Sequence, residues 1–136
     1  MGQLRFRMWD AFLKRMGQVS ELDLKNQMVL DDRGIKTSLE QVRLMEFSGH
    51  NDVNGDPLFQ GDIVLQLDQK VYGILDKGSF SNGTELFSNV FVFLELTASG
   101  QTKAGVAPDF SRLKVTGNVY QQADFLKDRF NCVYHA

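Results

Sequence analysis

The chain has 136 residues, 43% hydrophobic and 24% charged, with a formal net charge of −2. These are ordinary globular values, which exclude wholesale disorder, and the acidic balance argues against a protein built to neutralise many phosphates. The single cysteine, Cys132, cannot form an internal disulfide, which points to a reducing, cytoplasmic setting.

A chain of this length forms one domain, at most with an appended subdomain, and buries roughly 65–70% of its unfolded surface without disulfides or metals. Leu4 to Trp9 alternates apolar and charged residues and predicts a half-buried strand, with Leu4, Phe6 and Met8 on one face and Arg5, Arg7 and Trp9 on the other. Ala11 to Gly17 reads either as one helical turn or as the link of a hairpin. Val19–Leu24 and Gln27–Leu30 read as short strands, ended by the turn Asp31-Asp32-Arg33-Gly34. Ser38 with Gln41 three residues on has the form of a capping box and predicts a short helix around Leu39 to Val42.

Strand character returns from Arg43 to Phe47, and Gly49 to Gly61 reads as one long turn with Asn54-Gly55 at its tip. Asp62–Leu67 and Val71–Leu75 form a predicted hairpin, followed by a loop punctuated by Gly78 and Asn82-Gly83. Val90 to Leu96 is nearly all apolar and is expected to be the most buried strand. Thr97 to Pro108 reads as a loop, and Leu113 to Tyr120 as the last strand. Phe125, Leu126, Arg129 and Phe130 have helical spacing, which predicts a short C-terminal helix over Ala123 to Phe130 that packs on the sheet. Eleven phenylalanines imply a core of rings. The chain is therefore read as mainly β. Residues 1–42 form an N-terminal β-rich subdomain, and residues 43–136 form a small, bent, partly open β-barrel closed by the helix.

Candidate chemistry is sparse. Asp52, Asn54 and Asp56 alternate as in a calcium loop, but Pro57 stands where that loop needs glycine and Ile63 where it needs a bidentate carboxylate. The simpler reading is a turn whose side chains bond their own backbone. Two histidines, His50 and His135, and one cysteine cannot supply a four-ligand zinc site without carboxylates. His50 beside Asp52 offers a base and its orienting group for a hydrolase or transferase, yet no nucleophile has a recognisable setting. Cys132 has no neighbour in sequence that would lower its pKa, and His135 sits in the tail. Arg5, Arg7, Lys14 and Arg15 interleave with Phe6, Trp9 and Phe12, a composition used for single strands of nucleic acid, but strand alternation also accounts for the apolar positions and makes a core role the better reading. No catalytic, cofactor or metal residue is assigned. No apolar run approaches the ~20 residues that span a bilayer, and the opening residues lack the pattern of a signal peptide, so no membrane partner is expected.

Several segments, taken in order, resemble one family. Leu4-Arg5-Phe6-Arg7-Met8-Trp9-Asp10 is similar to the Phe-Arg-x-Trp-Asp opening of the YopX-like proteins of bacteriophages and prophages. Leu44-Met45-Glu46-Phe47-Ser48-Gly49, with Asp52, Asn54-Gly55 and Gly61-Asp62-Ile63-Val64, resembles that family's central signature. Gly73 through Phe80 is similar to its glycine-bearing hairpin, and Val115-Thr116-Gly117-Asn118-Val119-Tyr120 to its closing strand. His50, Val53, Asp56 and Pro57 depart from the pattern in the turn, and the proline that often follows the closing strand is missing. The resemblance implies a small, β-rich, self-associating phage protein and carries over no catalytic residue. The expectation is a non-enzymatic accessory protein of the host cytoplasm that binds copies of itself, or a host or phage protein, with nucleic-acid binding as the alternative. The residues expected to form turns or contacts are Trp9, Gly49, Asp52, Asn54, Gly55, Gly61, Asp62, Gly117, Asn118 and Tyr120.

Overall fold

A computed structural model of the chain describes residues 5–81, 83–84, 86–106 and 109–134. Leu4, Asn82, Pro108 and His135 lie outside the described residues. In chain order the strands are β1 (Phe6–Asp10), β2 (Arg15–Asp23), β3 (Met28–Asp31), β4 (Lys36–Ser38), β5 (Val42–Asn51) and β6 (Pro57–Phe59). They continue with β7 (Asp62–Gln66), β8 (Val71–Ser81), β9 (Leu86–Thr97), β10 (Gly100–Val106) and β11 (Leu113–Asn118), and helix α1 (Ala123–Phe130) follows. The chain is mainly β, as the alternation implies. Its strands lie in two open sheets, ordered β4-β3-β2-β1-β5-β6 and β10-β9-β8-β7-β11, and do not close into a barrel. The chain divides into two compact units, Met1–Phe47 and Ser48–His135, with the boundary inside β5.

In the first unit β1 is central, antiparallel to β2 on one side and to β5 on the other. Met8, Val29 and Val42 form its core, with Val19, Leu22, Leu39 and Leu44 packed against them. The other face of β1 is not the solvated face expected from its arginines. Arg7 is buried, and its Nε donates to the sulfur of Met45, its register partner on β5, at 3.3 Å. Residues 11–14 are a hairpin turn, and residues 39–41 form a single 3₁₀ turn in place of the expected helix. Ser38 Oγ accepts from Glu40 N (3.3 Å), while the Gln41 amide that would complete a capping box reaches Asp10 instead, at 3.2 Å from each carboxylate oxygen.

β1, β2 and β3 each end on an aspartate that organises the following turn. Asp10 Oδ1 accepts from Phe12 N (3.0 Å) and Leu13 N (2.9 Å), Asp23 from Asn26 N (3.1 Å), and Asp31 from Arg33 N and Ile35 N (2.9 Å each). Short acidic side chains do this because the carboxylate reaches its own backbone two to four residues on. Burial raises the Asp10 carboxyl pKa, but bonds from Leu13, Gln41 and Phe12 and the charge of Arg15 outweigh it and hold it below the ordinary 3.8. Asp31 is likewise raised by burial and brought lower on balance by Ile35 and Arg33. A carboxylate with a depressed folded pKa contributes stability that is complete above its unfolded value and lost as the pH falls through the folded one. Melting temperatures should therefore fall as the pH drops below 3.8, and the fall should be shallower in Asp10→Asn. Identical acid profiles for the two proteins would show that Asp10 carries none of it.

In the second unit, β7 carries a fully buried run: Asp62, Ile63 and Val64 are all inaccessible. It runs between β8 and β11 and sends alternate side chains to two clusters. Ile63, Ile74, Leu96 and Val119 pack with Leu126 and Phe130 of α1, whereas Leu58, Val64, Leu75 and Leu113 pack with Phe93, Phe110 and Val115. The helix lies where its spacing places it. β9, expected to be the most buried strand, has only Val92 and Leu96 buried among its described side chains. The expected turn over Gly49 to Gly61 contains the end of β5 and all of β6, β8 runs on through Gly78, and the expected loop after Thr97 contains β10. Among the described residues the core is aliphatic, with only Phe59 and Phe130 of the phenylalanines buried. No helix among them is long and apolar enough to cross a membrane.

Candidate functional site

The turn after β5 is built on Asp52. This carboxylate, 6% exposed, accepts from Asn54 N (2.9 Å) and Asp56 N (2.8 Å) through Oδ1, and from Val115 N of β11 (2.9 Å) through Oδ2. Val53 N donates to Leu113 O at 2.9 Å, so the turn lies along the outer edge of β11 and covers part of it. Asn54, Gly55 and Asp56 are exposed, and Gly55 has the left-handed backbone (φ +86°) that the turn requires. With the Asp52 oxygens directed at three amides, the loop is arranged as an edge clamp. His50 does not face Asp52; its ring lies flat on Phe110, centroids 4.4 Å apart and 8° from parallel.

Gly61 and Asp62 stand where β6 turns into β7. Gly61 N donates to Leu75 O (2.7 Å) and Gly61 O accepts from Val119 N (2.9 Å), while Asp62 Oδ2 accepts from Phe59 N (2.8 Å). Gly49 lies within β5. Asn118 performs the same service before α1: its Oδ1 accepts from Tyr120 N (3.1 Å) and Gln121 N (2.9 Å), and its Nδ2 donates to Gln121 Oε1 (2.6 Å). Tyr120 packs edge-on against Tyr134, whose hydroxyl donates to Asp76 at 3.0 Å; Gln60 donates to the other oxygen of the same carboxylate, also at 3.0 Å. Burial, then the Asp76 charge, pushes the Tyr134 hydroxyl pKa up. Apart from Gly49, the expected residues of the second unit thus gather around the β7–β11 pair and the start of α1. Trp9 belongs to the first unit and is half-buried in β1.

A pocket of about 170 Å³ opens in the second unit between Ile63, Tyr72, Thr116, Gln122 and Phe125. None of these five was singled out from the sequence as a site residue. The usable signal was Gly117, because a Cβ there would stand 2.4 Å from Gln122 Oε1. Glycine lets the Gln122 side chain lie across the strand and accept from Asn118 N at 2.6 Å. The register shift between Val115 and Gly117 marks a bulge that turns Thr116 toward Ile63, whose carbonyl accepts from Thr116 Oγ1 at 3.2 Å. Tyr72 and Phe125 meet at 5.8 Å and 67°, and the Arg129 guanidinium sits over both rings, at 4.9 and 5.7 Å.

The first unit offers a different feature. Phe12 and Leu13, at the tip of the β1–β2 hairpin, are 80% and 54% exposed, yet their amides are fixed by the buried Asp10. Of the basic cluster at this end of the chain, Arg7 is buried and Arg5 lies over the Phe47 ring at 5.2 Å. Cys132 is buried in the core below α1, and burial pushes its thiol pKa up, away from the reactive thiolate.

Comparisons with known proteins agree with this architecture. A family model described as YopX protein matches residues 5–127. Among solved structures the chain is similar to one titled "Crystal structure of protein EF1440 from Enterococcus faecalis", with a TM-score of 0.61 and 17% identity over 93% of this chain and 99% of that one. At that identity the likeness shows the fold alone. No curated protein matches significantly. A family model that takes in the β1 motif, the Asp52 turn and the Gly117-Asn118 strand spans nearly all of both units: the chain belongs to the YopX protein family and is a phage-type protein.

Proposed function

We propose that the protein is a non-enzymatic phage accessory protein of the host cytoplasm that works through protein contacts, first of all with copies of itself. The observation that carries this reading is the Phe12-Leu13 tip. An exposed aromatic ring on a backbone fixed by a buried carboxylate is an anchor whose backbone ordering cost is met before binding, the character of an interface hot spot. Trp9 and Tyr120, expected to serve as exposed contact aromatics, are half-buried, so the tip takes their place. The nucleic-acid reading rested on the N-terminal cations, and with Arg7 buried and Arg5 stacked on Phe47 that cluster is smaller than its sequence implies. The His50–Asp52 hydrolase reading has no support from geometry in which Asp52 binds amides and His50 binds a ring. Light scattering over a range of concentrations tests the proposal. The wild type should exceed monomer mass, and Phe12→Ser/Leu13→Ser should move it toward monomer while leaving the melting temperature nearly unchanged. A strict monomer at every concentration, with no phage or host protein retained, would sink the proposal.

A further inference from the structure

We infer that the pocket between β7, β8, β11 and α1 is a binding site for a single planar six-membered lactam ring, of which a pyrimidine base is the representative. The inference goes beyond the protein-contact reading and does not depend on it. Size sets the first limit: about 170 Å³ is close to the ~150 Å³ cavity that takes up a benzene ring, so one ring with small substituents fills it. The walls set the second. Ile63 and the rings of Tyr72 and Phe125 offer apolar surface, and Arg129, stacked over both rings, holds them in place.

Two polar groups set the third. Gln122 Oε1 is committed to Asn118 N at 2.6 Å. A backbone N–H can only donate, so this bond fixes the oxygen end of the amide there and leaves the Gln122 NH₂ as a donor. Gln122 opens α1 but makes no side-chain cap to it, so its amide is oriented by the strand alone. Thr116 Oγ1 gives its proton to Ile63 O, which leaves its lone pairs as an acceptor. The pocket therefore offers a donor and an acceptor beside two rings. A bare aromatic side chain would desolvate both groups without pairing either, whereas the adjacent N–H and C=O of a lactam pair both. The absence of a Cβ at Gly117 is what gives Gln122 room to take this position.

Saturation-transfer NMR with thymidine on the full chain tests the inference. Transfer should reach the base protons more strongly than the sugar protons, with millimolar affinity. The 3-methyl derivative, which lacks the lactam N–H, should bind about tenfold more weakly, as for one lost buried hydrogen bond. Phe125→Leu, which keeps an apolar side chain on α1, should also weaken transfer; if that variant does not fold, the methylated ligand still decides. Short oligothymidylate distinguishes the source of the base: tighter binding per base supports a single strand, and equal binding supports a free nucleoside. No transfer from either ligand, equal binding of the methylated base, or transfer dominated by the sugar would each overturn the assignment. Light scattering reads the oligomer separately, so failure here leaves the self-association proposal standing, and the reverse also holds.

Discussion

Gly73→Ala should destabilise the protein by about 3 kcal/mol, the upper end of what forced overpacking costs, seen as a lower midpoint in urea at an unchanged slope. Gly73 sits in the middle of β8, paired with Val64 on one side and Glu95 on the other. A Cβ there would stand 2.3, 2.4 and 2.8 Å from three ring carbons of Phe93, well inside contact distance. To make room, the ring must move from its packing on the cluster of Leu58, Val64, Leu75 and Leu113. Two comparisons isolate the cause. Gly78→Ala, on the same strand, meets only Val92 at 3.7 Å and should be close to neutral. Gly73→Ala with Phe93→Leu should recover part of the loss, since removing the ring removes the collision. A Gly73→Ala midpoint no lower than that of Gly78→Ala would show that the ring position does not constrain this strand.

Asp52→Ala should cost a comparable amount, about 2–4 kcal/mol, because it leaves three backbone amides without their acceptor. The amides are those of Asn54, Asp56 and Val115, and the last of them belongs to a strand 63 residues away. Hydrogen exchange gives the more specific readout: Val115 and its neighbours in β11 should lose protection selectively, while β1 to β4 keep theirs. Asp52→Asn should fall between the two, since its single carbonyl oxygen can serve Asn54 and Asp56 but turns an NH₂ toward Val115. Uniform exchange across the chain in Asp52→Ala would argue that the turn does not hold the edge.

The sequence was most legible where one residue type has one local use. Two-residue alternation placed the strands around Met8, Val64 and Ile74, helical spacing placed α1, and the acidic residues at Asp31 and Asp52 marked turns. It was least legible where partners far along the chain decide. Gly78 and the segment after Thr97 read as loop because glycine and polar residues weaken a strand taken alone, yet pairing with β9 holds Gly78 and Gly100–Val106 as sheet. The phenylalanines read as core because rings are the largest apolar groups, but among the described residues the buried clusters are mostly aliphatic, and Phe12, its backbone amide tied to Asp10, leaves its ring exposed. A small barrel over residues 43–136, beside an N-terminal β-rich subdomain, was the natural extrapolation from short strands; whether the strands close or stay in two open sheets depends on which edges meet, and hydropathy does not record that. Of the candidate site, Gly117 and Asn118 were visible as a motif. Gln122, which the glycine accommodates, was not, because nothing in a lone glutamine shows that it folds back on the preceding strand.

The partnership of β7 with β11 has a consequence for how the molecule comes together during synthesis. β8 can zip against β7, and β9 against β8, as soon as they leave the ribosome, each through a short reversal of the chain. The other flank of β7 must wait for Leu113 to Asn118, and until they arrive its row of amides and carbonyls is open to any neighbouring nascent chain. When many copies are made at once, the late-made β11 guards the newborn sheet against its siblings.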